Sequence, residues 1–226
     1  YRGGVDPAAL LADLDADQRR AVTCQSTLVA VIAGAGSGKT RVLTRRLAHR
    51  IAAGSADARH TLVLTFTREA AGELRRRLHH LGVTDEVTAG TFHAVANQLL
   101  RQRWADLDRS PPSILNDRAR LIGELPQVET ARSDLASIVD AVGVATARGL
   151  TPSTYLHAVR NGALRTTHDP ELIASVLQGY SDLKRSRRVV DLDDLLALTI
   201  DAAERDPTFA EALRWRFRHL LVDEAQ

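Results

Sequence analysis

Residues 31–40 read VIAGAGSGKT. They join an apolar, β-branched run, TLVAVIA (27–33), to TRVLTRRLAHRIAAG (40–54), whose apolar residues at 43, 47, 48 and 51 recur at helical spacing before Gly54. The first run reads as a buried strand and the second as a helix stopped by glycine. Between them Gly34, Gly36 and Gly38, with Ala35 and Ser37 interleaved, form a loop of little bulk. Backbone N–H groups of such a loop can curl around phosphates at a helix N-terminus, where the dipole favours anions. Lys39 then reaches the β- and γ-phosphates and the Thr40 hydroxyl binds Mg²⁺. The strict phosphate-loop pattern has glycine where this chain has Ala33, so the match is to a relaxed form. A glycine-rich turn before a helix is the plainer alternative, but strand, GKT and lysine coincide. Of thirty basic residues only Lys39 and Lys184 are lysines, which suggests that position 39 needs a compact ammonium, not a planar fork.

Outward from the loop the alternation continues. HTLVLTF (60–66) reads as a second buried strand. TREAAGELRRRLHHLG (67–82) follows as a helix with Thr67 as N-cap, apolar residues at 70, 71, 74, 78 and 81, and Gly82 as stop. VTAGTF (87–92) gives a third strand and 93–104 a further helix. Alternating strands and helices imply an α/β fold with a parallel sheet. A proline-containing break, DLDRSPPSILND (106–117), ends the pattern. From about 117 to 185 only helical segments follow, separated by ARGLTPS and RTTHDP. VVDLDDLLALTIDAAERD (189–206) then reads as a helix capped by Asp191 with a core face at 192, 195, 196 and 200, and FRHLLVD (217–223) as another buried strand. The expected organisation is an α/β core begun in 1–108, an all-helical insertion over 109–187 and a return to the core over 188–226.

The chain closes on HLLVDEAQ (219–226), an apolar strand delivering an acidic pair. A phosphate loop needs such a second strand, with Asp223 acting through the Mg²⁺ shell and Glu224 polarising the attacking water. Asp223 and Glu224 are therefore expected to face Lys39 and Thr40. The alternative is a surface carboxylate pair at a chain end. With no methionine, even at position 1, the sequence reads as an excerpt of a longer chain cut inside its active site.

At 226 residues, 44% hydrophobic and 26% charged, the composition is that of an ordinary soluble globular protein. No apolar run approaches the roughly 20 residues of a membrane span, and YRGGVDPAAL lacks the layout of a signal peptide. One cysteine, Cys24, excludes a disulfide framework and suits a reducing cytoplasm. Net charge is only +2, yet residues 41–80 carry nine arginines against Asp57, Glu69 and Glu73. This local excess suits either a polyanion or solvated helix faces. KRSRR (184–188) reads as the solvated basic end of a helix, and Asp191, Asp193 and Asp194 as helix-opening carboxylates, not a metal site.

Taken in order, LDADQRRAV, AGAGSGKTRVLTRR, TFTREAAGELRRRL, TFHAVANQLL, VVDLDDLL and FRHLLVDEAQ resemble superfamily 1 DNA helicases of the UvrD/Rep type. The likeness runs from about residue 14 to 226, with little carried by the insertion. It implies a RecA-like P-loop NTPase core and a 1B-like helical insertion. It implies Mg²⁺-dependent ATP hydrolysis coupled to 3′–5′ movement along single-stranded DNA, or DNA with a 3′ single-stranded tail, in a bacterial cytoplasm. A second RecA-like half of the same protein would supply arginines to the γ-phosphate.

By that resemblance Gln18 reads adenine through its carboxamide, Arg41 lies near the base, and Gln226 lies near the γ-phosphate. Thr65, Phe66 and Arg68, with Thr91 and His93, line a single-strand path. Without the resemblance Gln18 is a solvated helix residue and Phe66 a core aromatic. Two other readings of the whole remain: a nucleotide- or DNA-binding fragment or helicase–nuclease subunit that does not unwind on its own, and a P-loop enzyme acting on a small molecule.

Overall fold

A computed structural model describes residues 5–34, 36–84 and 86–224, with the side chains of 130–132 outside that description. The chain divides into two compact units, Tyr1–Val95 with Glu204–Gln226, and Ala96–Ala203.

The first unit is built on a parallel sheet of β1 (Thr61–Thr65), β2 (Thr88–Thr91) and β5 (His219–Val222), in the order β2-β1-β5. Val63 pairs with Ala89 on one side and with Leu221 on the other. The continuous apolar run of β1 is what a central strand covered on both faces requires. Around it lie α1 (Ala16–Thr23), α2 (Lys39–Ala52), α3 (Arg68–His80) and α10 (Pro207–Arg216). Leu47 and Ile51 of α2, Leu74 and Leu78 of α3, and Val63 share one core. Thr67 caps α3 through the Ala70 N–H, as its position before the apolar periodicity predicts. Gly82 follows α3 with φ of +79°, and a Cβ there would lie 2.1 Å from Val5 Cγ2, so both backbone and space demand glycine.

Residues 27–33 correct the sequence reading. They form no strand, and Leu28 and Ile32 are 89% and 96% exposed. Apolar, β-branched composition says only that a segment suits a pleated, half-buried surface. Pairing depends on a neighbour distant in sequence, and no strand of the described residues pairs with this segment.

The second unit is helical: α4 runs Phe92–Asp106 into it, followed by α5 (Arg118–Gly123), a 3₁₀ stretch (Pro126–Asp134), α6 (Leu135–Ala147), α7 (Pro152–Arg160) and α8 (Pro170–Arg187), with α9 spanning Leu192–Arg205. Its core is Ile122, Val128, Ile138, Val142, Tyr155 and Ile173 with their neighbours. Two short strands unmarked in the sequence, β3 (Ser113–Ile114) and β4 (Val189–Val190), pair in parallel across the helical segment they bracket. The Ser113 N–H donates to Arg188 O at 3.1 Å and the Leu115 N–H to Val190 O at 2.7 Å.

Beside this pair Lys184 is buried. It donates to Asp191 Oδ2 at 3.0 Å and to both Asp194 oxygens at 2.7 and 2.6 Å, and lies 4.5 Å from the Tyr180 ring centroid. It is thus no part of a solvated helix end. Asp191 and Asp194 also accept from each other's backbone N–H at 2.9 Å, which opens α9 as the acidic motif predicts. Of the expected α9 core face, Leu195 is buried, while Leu192 and Ile200 are exposed.

Candidate functional site

The C-terminal ends of β1 and β5 and the N-terminus of α2 converge. Gly36 and Gly38 take φ of +75° and +85°, a region costly for any residue with a Cβ, so the turn from residue 34 into α2 needs glycine at both. Ser37 Oγ donates to Gly34 O at 2.7 Å. Lys39 opens α2 and turns back over the loop, its ammonium donating to Ala33 O at 3.0 Å and Gly34 O at 3.1 Å. In this arrangement the lysine satisfies the loop carbonyls and can exchange them for phosphate oxygens. Ala35 lies outside the described residues.

Thr40 and Asp223, 183 residues apart, meet here: Thr40 Oγ1 is 3.2 Å from Asp223 Oδ2 and 3.5 Å from Oδ1. Asp223 is buried and its N–H donates to Leu64 O at 2.9 Å, which continues the β1–β5 ladder and fixes the carboxylate. A hydroxyl and a carboxylate are hard oxygen donors. Adjacent ligands of one octahedral Mg²⁺ at about 2.0–2.1 Å lie roughly 3 Å apart, so the pair fits that ion. Among the described residues no group of three or more His, Cys, Asp or Glu could hold a metal, so the remaining ligands would be water and phosphate oxygens. Glu224 follows with φ of +58°, a left-handed conformation costing about 1–2 kcal/mol for a non-glycine residue. Gln226 lies outside the described residues.

Gln18 reaches this loop from α1. Its Nε2 donates to Ser37 O at 3.1 Å, while its Oε1 accepts from the Asp15 N–H at 3.4 Å in a capping box. Gln18 is therefore neither free nor simply solvated. Arg41 donates to Asp13 O at 2.7 Å. Arg45 holds Leu10 O and Ala12 O, and Arg46 holds Ala21 O and Cys24 O, so α2 binds the segment that carries Gln18. Arg75 donates to Ala89 O, and Arg76 and Arg77 pair with Glu73. Much of the arginine excess over 41–80 is thus engaged within the fold. These carbonyl contacts are nonlocal and carry no sequence signal.

Phe66 sits just past β1, 59% exposed, with a tilted contact to Phe92 at 5.5 Å, so it is not a core aromatic. Arg68 is exposed and makes no hydrogen bond or ion pair among the described residues. Thr91 Oγ1 accepts from the Ala94 N–H at 3.2 Å, opening α4, and His93 is half-buried on its first turn. Thr65 is 1% exposed.

Residues 14–226 match the family described as UvrD/REP helicase N-terminal domain. The chain is 33% identical over 231 residues to "ATP-dependent DNA helicase UvrD2" of Mycobacterium tuberculosis, covering 96% of this chain and 33% of that protein. It is 33% identical over 241 residues to "ATP-dependent DNA helicase UvrD1" of Mycobacterium leprae, covering 96% and 29%. To "ATP-dependent DNA helicase PcrA" of Leuconostoc citreum it is 33% identical over 220 residues, covering 92% and 28%. The chain thus spans about a third of the length of these relatives. No helix among the described residues is long and apolar enough to cross a membrane.

Proposed function

Because the chain belongs to the UvrD/REP helicase N-terminal domain family, we propose that it is the ATP- and single-stranded-DNA-binding part of an ATP-dependent DNA helicase moving 3′ to 5′ in the bacterial cytoplasm. The observation that carries this reading is the meeting of Thr40 and Asp223 at 3.2 Å beside Lys39. Lys39 leaves Ala33 O and Gly34 O for the β- and γ-phosphates, and the loop N–H groups and the α2 dipole take the remaining charge. Thr40 and Asp223 would hold Mg²⁺, which when bound neutralises charge developing on the phosphates. Glu224 accepts a proton from the attacking water. Gln18 donates to N7 and accepts from N6 of adenine, and Arg41 lies at the base side of the loop. The second RecA-like half would supply arginine to the γ-phosphate, with Gln226 near it.

The helical segment 109–187 corresponds to a 1B-like insertion in the core begun by 1–108 and resumed at 188. Phe66 stacks on a base, and Arg68, Thr91 and His93 meet the backbone of a strand with a 3′ tail. The test is ATP affinity of Lys39→Ala in the full natural protein, by calorimetry with Mg²⁺. Each charge-assisted hydrogen bond from the ammonium to phosphate is worth about 1.5–3 kcal/mol, so binding should weaken at least tenfold. Unchanged affinity in a folded variant contradicts the proposal.

A further inference from the structure

The sheet of the first unit has a second end, where β1 and β5 begin. β1 spans Thr61–Thr65, so at ~3.3 Å per residue this end lies about 13 Å from the Thr40–Asp223 site. The last turn of α10 and the residues after it, RWRFRH (214–219), lead into β5 here, with Arg216 O 3.2 Å from His60 Nδ1.

Three features set it apart. The guanidinium groups of Arg214, Arg216 and Arg218 make no hydrogen bond or ion pair among the described residues, in a chain that ties down most arginines of α2 and α3. Aromatic rings alternate with them. Trp215 is 63% exposed, edge-on to His60 at 4.8 Å, with Arg218 at 6.0 Å from its ring, and Arg216 lies 5.1 Å from the Phe217 ring. The charged groups around His219 are mostly basic. Burial, Arg50, Arg218 and His60 hold His219 below the ordinary histidine range against the opposing pull of Asp57. Asp57 already caps the next turn by accepting from the Arg59 N–H.

We propose that this end of the sheet is a second nucleic-acid contact. It would take the phosphate backbone of a DNA strand outside the Phe66 path, with Trp215 offering a face to an unpaired base. The inference rests on the DNA-directed reading above. Guanidinium forks without a carboxylate partner among the described residues match phosphate oxygens, and an exposed indole adds stacking that tolerates any sequence. An acidic protein segment would satisfy the arginines but give the indole no planar partner, so the alternation of arginine with aromatic residues favours nucleic acid.

The test titrates a labelled duplex with a 3′ single-stranded tail into the full natural protein between about 50 and 200 mM salt. Wild type is compared with the triple variant Arg214→Ser, Arg216→Ser, Arg218→Ser and with Trp215→Ala, all checked for an unchanged melting curve. Each phosphate contact contributes about 0.7–0.9 to the slope of log affinity against log salt, so the slope of the triple variant should be shallower by about two to three, with binding at least tenfold weaker at low salt. Trp215→Ala should weaken binding about five- to tenfold with its slope kept. The maximal ATP hydrolysis rate on saturating oligo-dT should stay as in wild type. Unaltered affinity and slope in the folded triple variant overturn the proposal, as does polyglutamate binding that the arginines control while DNA binding does not respond. Absence of any DNA binding by wild type would instead strike the functional reading itself.

Discussion

Lys39 and Lys184 are the two lysines among thirty basic residues, and each gathers several oxygens around one ammonium. The loop motif marks Lys39. The scarcity of lysine is an equal signal for Lys184, but the adjacent arginines make its segment look solvated. Gln18 is legible as a site residue only through resemblance, because the one hydrogen bond that joins it to the loop, to Ser37 O, spans nineteen residues. If it reads adenine, Gln18→Ala should narrow the preference for ATP over GTP about tenfold and leave inorganic triphosphate affinity unchanged. Competition binding measures this, and an unaltered ATP-to-GTP ratio counts against the role. Phe66 carries a separate expectation. Being mostly exposed, Phe66→Ala should weaken single-strand affinity by about 1–3 kcal/mol with little change in melting temperature. A lowered melting temperature with intact affinity would return Phe66 to a packing role.

At the scale of elements, β1, β2, β5 and the helices between them follow from apolar runs, caps and glycine stops, all local signals. The segment 27–33 and the β3–β4 pair were not legible, because strand pairing is decided by partners far along the chain. The β3–β4 pair and Lys184 together close the helical unit at its neck. There the Asp191 carboxyl is raised by burial, but the Asp194 N–H, the Lys184 ammonium and the Tyr180 hydroxyl outweigh that and hold it below the usual aspartate range. Asp191 therefore contributes stability in full above its unfolded value of about 3.9, and that contribution disappears as pH falls through the lower folded value. Thermal midpoints should show no Asp191-linked change between pH 5 and 8 and fall below about pH 4. Lys184→Met leaves Asp194 without this cation and Asp191 with Arg118 alone, at 3.3 Å, and should cost about 3–5 kcal/mol, with the acid fall starting at higher pH. Calorimetric unfolding across pH checks both, and a destabilisation under about 1 kcal/mol would mean that the neck does not depend on this ion pair.

For the whole molecule, the parallel sheet was readable from alternating apolar runs and helical periodicity, and the family from six motifs in order, while the second compact unit begins at Ala96, inside α4 and upstream of the break near residue 106. The basic excess over 41–80 was misleading in part, since its arginines mainly hold carbonyls and Glu73. What unites the chain is that residues from its two sequence ends, Gln18 to Thr40 and Asp223 to Glu224, meet at the strand ends of one unit. The central claim is that this meeting is an ATP-hydrolysing site driven by DNA. Steady-state phosphate release by the full natural protein, with and without single-stranded DNA, tests it against Glu224→Gln. The account predicts Mg²⁺-dependent release that DNA stimulates, and a fall of about 10²–10⁴ in Glu224→Gln with ATP still bound. Equal release by wild type and Glu224→Gln, or none of it responsive to DNA, would contradict the account.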